Sequence, residues 1–365
     1  MGVLRCLVLV FKRIFRGPKW LQNYQCMSAL GAVALMGFFY GAFTLGKMTR
    51  RKMSVTKWQP VYLGEQMRRD PKISRNHKLF MKWQKGFGNQ LFQYASLYGI
   101  ARDNKMQASI SSNLELWDIF KLGDDVVNDY KDLPYLSRPR YLEKIGRYDK
   151  RTQFLNYNLD ITLVGYFQSW KYFETYKDDL KKHFTFNYDY RKKINSYLKR
   201  IPGFKQGNKT RSTTLVGIHI RRGDMLDYNN VKLGYTVADE FYIQKAMTYY
   251  LSKYTNVVFI VASDDPEWAK QTVNQSLRKY YMSHQNRKSK FYPKARYLNN
   301  NTREFDFGVL SSCNHMIMTV GTFGWWAGWL AGGEVIYFKF YPRPGSDLAA
   351  LFTPEDYYPR NWIGM

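Results

Sequence analysis

Residues 215–224 read Leu-Val-Gly-Ile-His-Ile-Arg-Arg-Gly-Asp. The apolar run from Leu215 to Ile218 has the length and composition of a buried strand. It leads straight into His219, Arg221, Arg222 and Asp224, so two cations, an imidazole and a carboxylate emerge at the strand's carboxyl end. In open α/β sheets that end is where ligands sit. Paired arginines suit a diphosphate, because each planar guanidinium matches phosphate oxygens two at a time. The same residues also fit a plain ion pair at a strand end, with Arg222-Gly223-Asp224 as a turn, and other motifs have to decide.

Working outward, residues 79–83, 161–167, 257–263, 315–320 and 334–340 are further strand candidates. Helical spacing marks 89–103, where Leu91, Phe92, Ala95, Tyr98 and Ala101 share a face, and also 170–183, 238–254 and 266–275. This alternation predicts an α/β chain of parallel sheets with helices on both faces. The loop 200–213 is rich in Gly, Lys and Asn and contains Pro202, which marks a boundary. An α/β domain over 78–205 and a second over 206–365 would then enclose a cleft, the usual seat of a ligand. The stretches 104–160 and 225–240 read as variable loops.

The chain has 365 residues and a net charge of +27, with 45% apolar and 18% aromatic residues. A packed core is therefore expected and global disorder is not. The charge is lopsided: residues 1–77 carry 14 Lys/Arg against Glu65 and Asp70, while the rest carries 42 basic and 27 acidic residues. No basic run is interleaved with aromatics in the manner of an RNA platform, so nucleic acid is not the expected partner. Only Cys6, Cys26 and Cys313 are present, without metal-ligand spacing, which leaves no zinc ribbon or disulfide scaffold and makes Cys313 a buried thiol.

Met27 to Gly46 is 20 residues without a charge, enough to span a hydrocarbon core of roughly 30 Å. Five basic residues precede it (Arg5, Lys12, Arg13, Arg16, Lys19) and Lys47, Arg50, Arg51 and Lys52 follow, so charge barely orients it. The long domain beyond it translocates regardless of charge. The expectation is a cytoplasmic tail over 1–26, a single signal-anchor over 27–46, a polar basic stem over 47–77 and a lumenal body, a single-pass type II protein. The sequons at Asn208, Asn274 and Asn300 agree with that address as candidate N-glycosylation sites.

Two more loops sit at strand-to-helix junctions. Gly86-Phe87-Gly88-Asn89-Gln90 offers backbone amides at a helix start, or is a turn capped by Asn89. Gly321-Thr322-Phe323 opens a helix with amides and a hydroxyl for a phosphate, followed by Trp325, Trp326 and Trp329, which are expected to pack onto the sheet. Ser263-Asp264-Asp265 precedes Pro266: a carboxylate there either accepts from a guanine edge or ribose hydroxyl, or Ser263 or Asp264 caps the next helix. Asp306 is catalytic or caps its own helix. No Asp-x-Asp triplet occurs, so phosphate charge falls to arginine and no metal or other cofactor is expected.

GFGNQLFQYA, GYFQSWKYF, HIRRGD, VASDD and TFGWWAGWLAGG, in chain order, resemble the α-1,2-fucosyltransferases of glycosyltransferase family 11, over about residues 79 to 345. The anchor and stem resemble the Golgi members. The resemblance implies a GT-B-like fold of two Rossmann-type domains, with GDP-fucose as donor held mainly by the second. It implies metal-free, inverting transfer to the 2-hydroxyl of a terminal β-galactose, on galactose-terminated glycans. Arg221 then grips the β-phosphate and His219 lies near the nucleoside. Asp264 or Asp265 holds guanine or ribose, Gly321, Thr322 and Phe323 line the diphosphate, and Asn89 and Gln90 face the cleft from the first domain. For the acceptor proton, Asp224, Asp227 and Asp306 are the carboxylates close by in sequence, Asp224 having the simpler role of pairing with an arginine of its own motif. Alternatives are a fucosyltransferase for a protein hydroxyl or core N-glycan, and an inactive membrane-anchored glycan-binding protein.

Overall fold

The computed structural model describes residues 77–124, 126–130, 140–143, 146–156, 158–204, 213–283 and 294–365. The expected tail, anchor and nearly all of the stem, Asn208, and the expected boundary at 205/206 lie outside the described residues. Among the described residues no helix is long and apolar enough to cross a membrane.

The first half contributes β1 (Lys78–Lys82), α1 (Phe87–Asp103), β2 (Gln107–Ser111), the short α2 (Leu116–Ile119), β3 (Val127–Tyr130), β4 (Arg140–Leu142), β5 (Ile161–Val164), α3 (Lys177–His183) and α4 (Tyr188–Leu198). The second contributes β6 (Thr214–Ile220), α5 (Tyr228–Leu233), α6 (Glu240–Lys253), β7 (Val257–Ser263), α7 (Pro266–Ser283), β8 (Lys294–Tyr297), α8 (Arg303–Ser311), β9 (His315–Met318), α9 (Thr322–Ala331), β10 (Val335–Tyr337), α10 (Asp347–Leu351), α11 (Pro354–Tyr357) and β11 (Ile363–Gly364). They form two sheets, in the orders β3-β2-β1-β5-β4 and β11-β10-β9-β6-β7-β8. Every pairing is parallel.

The strand quoted first is β6, and it lies at the centre of the second sheet between β7 and β9, with Ile218 opposite Val261 and Ile317. Leu215 to Ile220 are all buried, as a parallel strand covered on both faces must be. One apolar cluster, including Val216, Ile218, Ile243, Met247 and Phe259, fills the face under α6 and α7. The other runs without interruption from Leu79 and Ile161 of the first sheet, through α1 and α9, to Leu215 and Ile260 of the second. At its middle Trp326 stacks on Phe173 (5.4 Å, 23°) and meets Phe92 edge-on at 5.1 Å. Trp325 and Trp326 are fully buried and Trp329 is 9% exposed, so the three indoles pack the helix as expected. Cys313 is likewise buried, and burial pushes its thiol pKa up.

Several expectations need correction. The stretch 104–160 is not loop: it carries β2, β3 and β4, whose sequences lack a continuous branched apolar run. Residues 170–183 are not one helix but two 3-10 turns, Trp170–Tyr172 and Glu174–Tyr176, followed by α3. Trp170, Tyr172 and Phe173 all bury in the first half's core, which bends the chain across α1 at Gly99. The helix expected over 266–275 continues to Ser283 as α7. Near the end, α11 packs back on the first half: Trp170 Nε1 donates to Glu355 O (3.2 Å), Ser169 Oγ to Asp356 O (2.5 Å), and Lys171 pairs with Asp356 (2.5 Å).

Candidate active site

The carboxyl end of β6 delivers its polar residues in two directions. Arg221 is fixed at both ends: its backbone N–H donates to Thr319 Oγ1 (3.0 Å), and its Nε and Nη2 donate to Asp224 Oδ1 and Oδ2 (3.1 and 2.8 Å). Burial opposes the charge, but the Asp224 carboxylate outweighs it and raises the guanidinium above its ordinary pKa. Arg222 turns the other way. Its N–H donates to Asp264 Oδ1 (2.8 Å), its Nε to Asp265 Oδ2 (3.1 Å), and its guanidinium lies 3.9 Å above the Trp268 ring. The arginine pair is thus no two-armed clamp; Arg221 faces the loop before α9 and Arg222 braces the start of α7.

That bracing resolves the helix-cap question left open above. Asp265 Oδ1 accepts the Trp268 N–H (3.3 Å) and Ser263 Oγ accepts the Asp265 N–H (2.9 Å), so Asp265 is the capping carboxylate, and neither Ser263 nor Asp264 is. Asp264 remains exposed, facing Gly223.

His219, the penultimate residue of β6, stacks on Phe323 (5.0 Å, 28°). Its Nδ1 is buried without a hydrogen-bond partner among the described residues. Burial, reinforced by Arg221, lowers its pKa to about 3, so the ring is neutral. Thr319 ties this residue to its neighbour, donating its N–H to His219 O (3.1 Å) while its hydroxyl holds the Arg221 N–H.

The loop before α9 is shaped around Arg221. Gly321 has φ +91°, and a Cβ there would lie 2.9 Å from Arg221 Nη1, so only glycine fits on both counts. The first turn of α9 meets the first turn of α1. Thr322 Oγ1 donates to Asn89 Oδ1 (3.0 Å), which also accepts from Gln168 Nε2 (3.0 Å). Gly88 makes this approach possible, since a Cβ would stand 2.6 Å from the Thr322 carbonyl carbon. Asn89 is not a helix cap: Gly86 holds that position, and Asn89 Nδ2 donates to Lys85 O (3.0 Å). Gln90 Oε1 is buried without a partner among the described residues. Two helix amino termini, each with free amides and a positive dipole end, therefore converge beside a fixed guanidinium, a setting for an anion.

His219, Arg221, Asp224, Gly321, Thr322, Phe323 and Asn89 are thus brought together, with Arg222, Asp264 and Asp265 along one edge. Asp227 stands exposed at the start of α5 with no side-chain cap bond. Asp306 lies in the first turn of α8, where burial raises its pKa to about 6 and Asn301 donates to it; Thr302 caps that helix, so Asp306 does not. Asn274 is exposed on α7 and accepts from the Tyr297 hydroxyl (2.9 Å), and Asn300 is exposed with φ +58°. Among the described residues no group of three or more His, Cys, Asp or Glu side chains is placed to hold a metal ion.

A family model described as glycosyl transferase family 11 matches residues 48–365, which includes both sheets. The chain belongs to glycosyl transferase family 11. This family 11 glycosyltransferase is 30% identical over 290 residues to galactoside alpha-(1,2)-fucosyltransferase 2 of Bos taurus, covering 76% of each chain. It is also 30% identical over 284 residues to galactoside alpha-(1,2)-fucosyltransferase 1 of Homo sapiens, covering 76% of this chain and 72% of that one. Among solved structures, an Arabidopsis thaliana FUT1 mutant in complex with GDP superposes with a TM-score of 0.50 at 12% identity, over 79% of this chain and 76% of that one, a likeness of fold.

Two residues of this family 11 site, and one carboxyl of the first sheet outside it, carry no signal in the sequence. Thr319 was hidden as the last polar residue of an apolar strand candidate. Trp268 read as ordinary helix surface. Glu143, in a stretch taken for loop, carries a carboxyl whose pKa burial raises to about 7, and no local signal marks it.

Proposed function

We propose that this glycosyltransferase transfers L-fucose from GDP-fucose, with inversion and without a metal, to the 2-hydroxyl of a terminal β-galactose. The observation that carries the reading is Arg221, locked by Asp224 and Thr319 with its Nη1 against the Gly321-Thr322 turn. Cleavage of the fucose–phosphate bond leaves a diphosphate with added negative charge and a sugar with oxocarbenium character. A guanidinium already fixed by partners, together with the amides at the start of α9, stabilises that charge without reorganising. Arginine in this place does what a metal does in enzymes that carry an Asp-x-Asp clamp.

Neutral His219 and the Phe323 ring form an uncharged floor beside Arg221, suited to the nucleoside end of the donor, and exposed Asp264 is available to a guanine edge or ribose hydroxyl. Asn89, held between Gln168 and Thr322, sets the first half against the donor loop. The names of the relatives above support the galactose acceptor and the α-1,2 linkage. The charge-free stretch 27–46 supports a type II Golgi anchor with a lumenal catalytic body.

The test is incubation of the full chain with labelled GDP-fucose and a panel of β-galactosides, with and without chelator. The expected product loses its label to an α-1,2-specific fucosidase, and chelator has no effect. A product resistant to that fucosidase would refute the linkage, and binding of galactosides without any turnover would favour a lectin.

A further inference from the structure

One carboxyl of the first sheet has no part in the chemistry so far. Glu143 follows directly on β4, the edge strand, and so stands at the carboxyl end of that sheet. It is seated on the end of the neighbouring strand β5: Oε2 accepts the Tyr166 N–H at 2.6 Å and Oε1 the Gln168 N–H at 3.3 Å. Residue 165 between the strand and these amides is glycine, and any Cβ there would collide with the Glu143 side chain.

Both residues that Glu143 grips lead to the donor loop. The Gln168 side chain donates to Asn89 Oδ1, which accepts from Thr322 Oγ1, and Thr322 follows the glycine beside Arg221. Tyr166 is 40% exposed, and the Tyr235 phenol interacts electrostatically with it as well as with Arg221 and Asp224. Glu143, at the carboxyl end of the first sheet, is thereby connected through Gln168 and Asn89 to the loop that lies against Arg221, at the carboxyl end of the second.

The carboxyls closer in sequence are less suited to take a proton. Asp224 is spent on Arg221, Asp227 stands in open solvent, and Asp306 sits in the first turn of α8 with Asn301 donating to it. Among the described residues the groups set against Glu143 are three backbone N–H groups and the Tyr172 hydroxyl, whose own pKa burial raises. Desolvation outweighs those amides and holds the carboxyl near the pH of a neutral compartment, where a general base works best.

We propose that Glu143 is the general base for the acceptor hydroxyl, an assignment that rests on the fucosyltransferase reading above. The galactose oxygen bonds to C1 of fucose as the C1–O bond to the β-phosphate breaks. The bonding pair leaves with the phosphate oxygen beside Arg221, and the hydroxyl proton passes to Glu143, which returns it to water after product release.

The test compares the full chain with Glu143→Gln and Glu143→Asp, reading kcat between pH 5 and 8.5 and GDP affinity by calorimetry. Wild type is expected to lose activity on the acid side with a midpoint near pH 7. Glu143→Gln should lower transfer by about 10²–10⁴-fold and abolish that limb, with GDP affinity unchanged. Glu143→Asp should keep the limb at reduced rate. A flat wild-type profile, which needs no variant to fold, overturns the proposal. So does transfer in Glu143→Gln within threefold of wild type, or GDP affinity falling in step with rate, which would make Glu143 a positioning residue acting through Asn89. A wild type that transfers nothing from GDP-fucose would instead bring down the fucosyltransferase reading, and the base with it.

Discussion

Replacing Gly88 by alanine tests whether the two halves of the site are held in register by backbone contact. A Cβ at residue 88 would lie 2.6 Å from both the Thr322 carbonyl carbon and Thr322 Oγ1, and 2.7 Å from the Phe323 nitrogen. That is about 0.8 Å inside the 3.4 Å at which ordinary contact begins, and two of the three atoms are backbone. No rotamer change relieves it, so the first turns of α1 and α9 must part by a comparable distance. Over-packing of this kind costs about 1–3 kcal/mol, and a midpoint shift of about 2–4 °C per kcal/mol follows for a body of this size. The larger effect falls on rate. Thr322 is covalently next to Gly321 against Arg221, and a displacement approaching 1 Å at a reacting centre costs on the order of 10²-fold. Melting by circular dichroism and initial rates with GDP-fucose measure both. Gly333→Ala serves as the control, because its Cβ would strike the Asn314 carbonyl, at the amino end of β9 and so at the opposite end of the sheet from Arg221, and should cost stability while sparing the rate per folded molecule. If Gly88→Ala keeps the wild-type rate, or loses no more than Gly333→Ala at equal destabilisation, the register argument is wrong.

Arg221→Ala should lower transfer on the order of 10²–10³-fold or more, and Arg222→Ala less, because the Arg222 guanidinium is spent on Asp265 and Trp268; activity of Arg221→Ala within a few-fold of wild type would sink the phosphate assignment. His219 gives a signed pH effect. Its folded pKa, about 3, is below its ordinary 6.5, so the unfolded chain takes the proton first on acidification. The stability this contributes is complete above pH 6.5 and is lost as pH falls toward 3, at up to about 1.4 kcal/mol per pH unit. In urea titrations the stability difference between wild type and His219→Gln should therefore shrink over that window. The oppositely signed contributions of Glu143 and Asp306 are common to both proteins and cancel, so a constant difference would refute a neutral, buried His219.

The legible parts of the fold were those whose burial comes from their own residues. β6 and β7 are continuous apolar runs and read nearly to the residue, as did α1 with its regular spacing and α9 with its indoles. β2 (Gln-Ala-Ser-Ile-Ser) and the three-residue β4 were not legible, because they are strands by virtue of the neighbours that pair with them. The same division holds in the site. The loops at 88–89, 219–224, 264–265 and 321–323 were marked by residue type and by their place after apolar runs. The separation of Arg221 from Arg222, and the linking of Asn89 to Thr322 across 233 residues, are tertiary facts with no local signature. Glu143 was missed for that reason, since its importance lies in what two distant strands do around it.

The docking of α11 on Ser169, Trp170 and Lys171 has a bearing on how the protein is made. A ribosome adding roughly 5–20 residues per second releases the first half long before residue 355 exists. For roughly 10–40 s the Trp170 indole and the Ser169 hydroxyl await partners some 185 residues downstream, and the aromatic centre around Phe92 and Phe173 awaits Trp325 and Trp326. The first half thus enters the world with its stickiest surface bare. Its safe passage depends on the synthesis rate and on chaperones that shield aromatic surface until the last helix arrives.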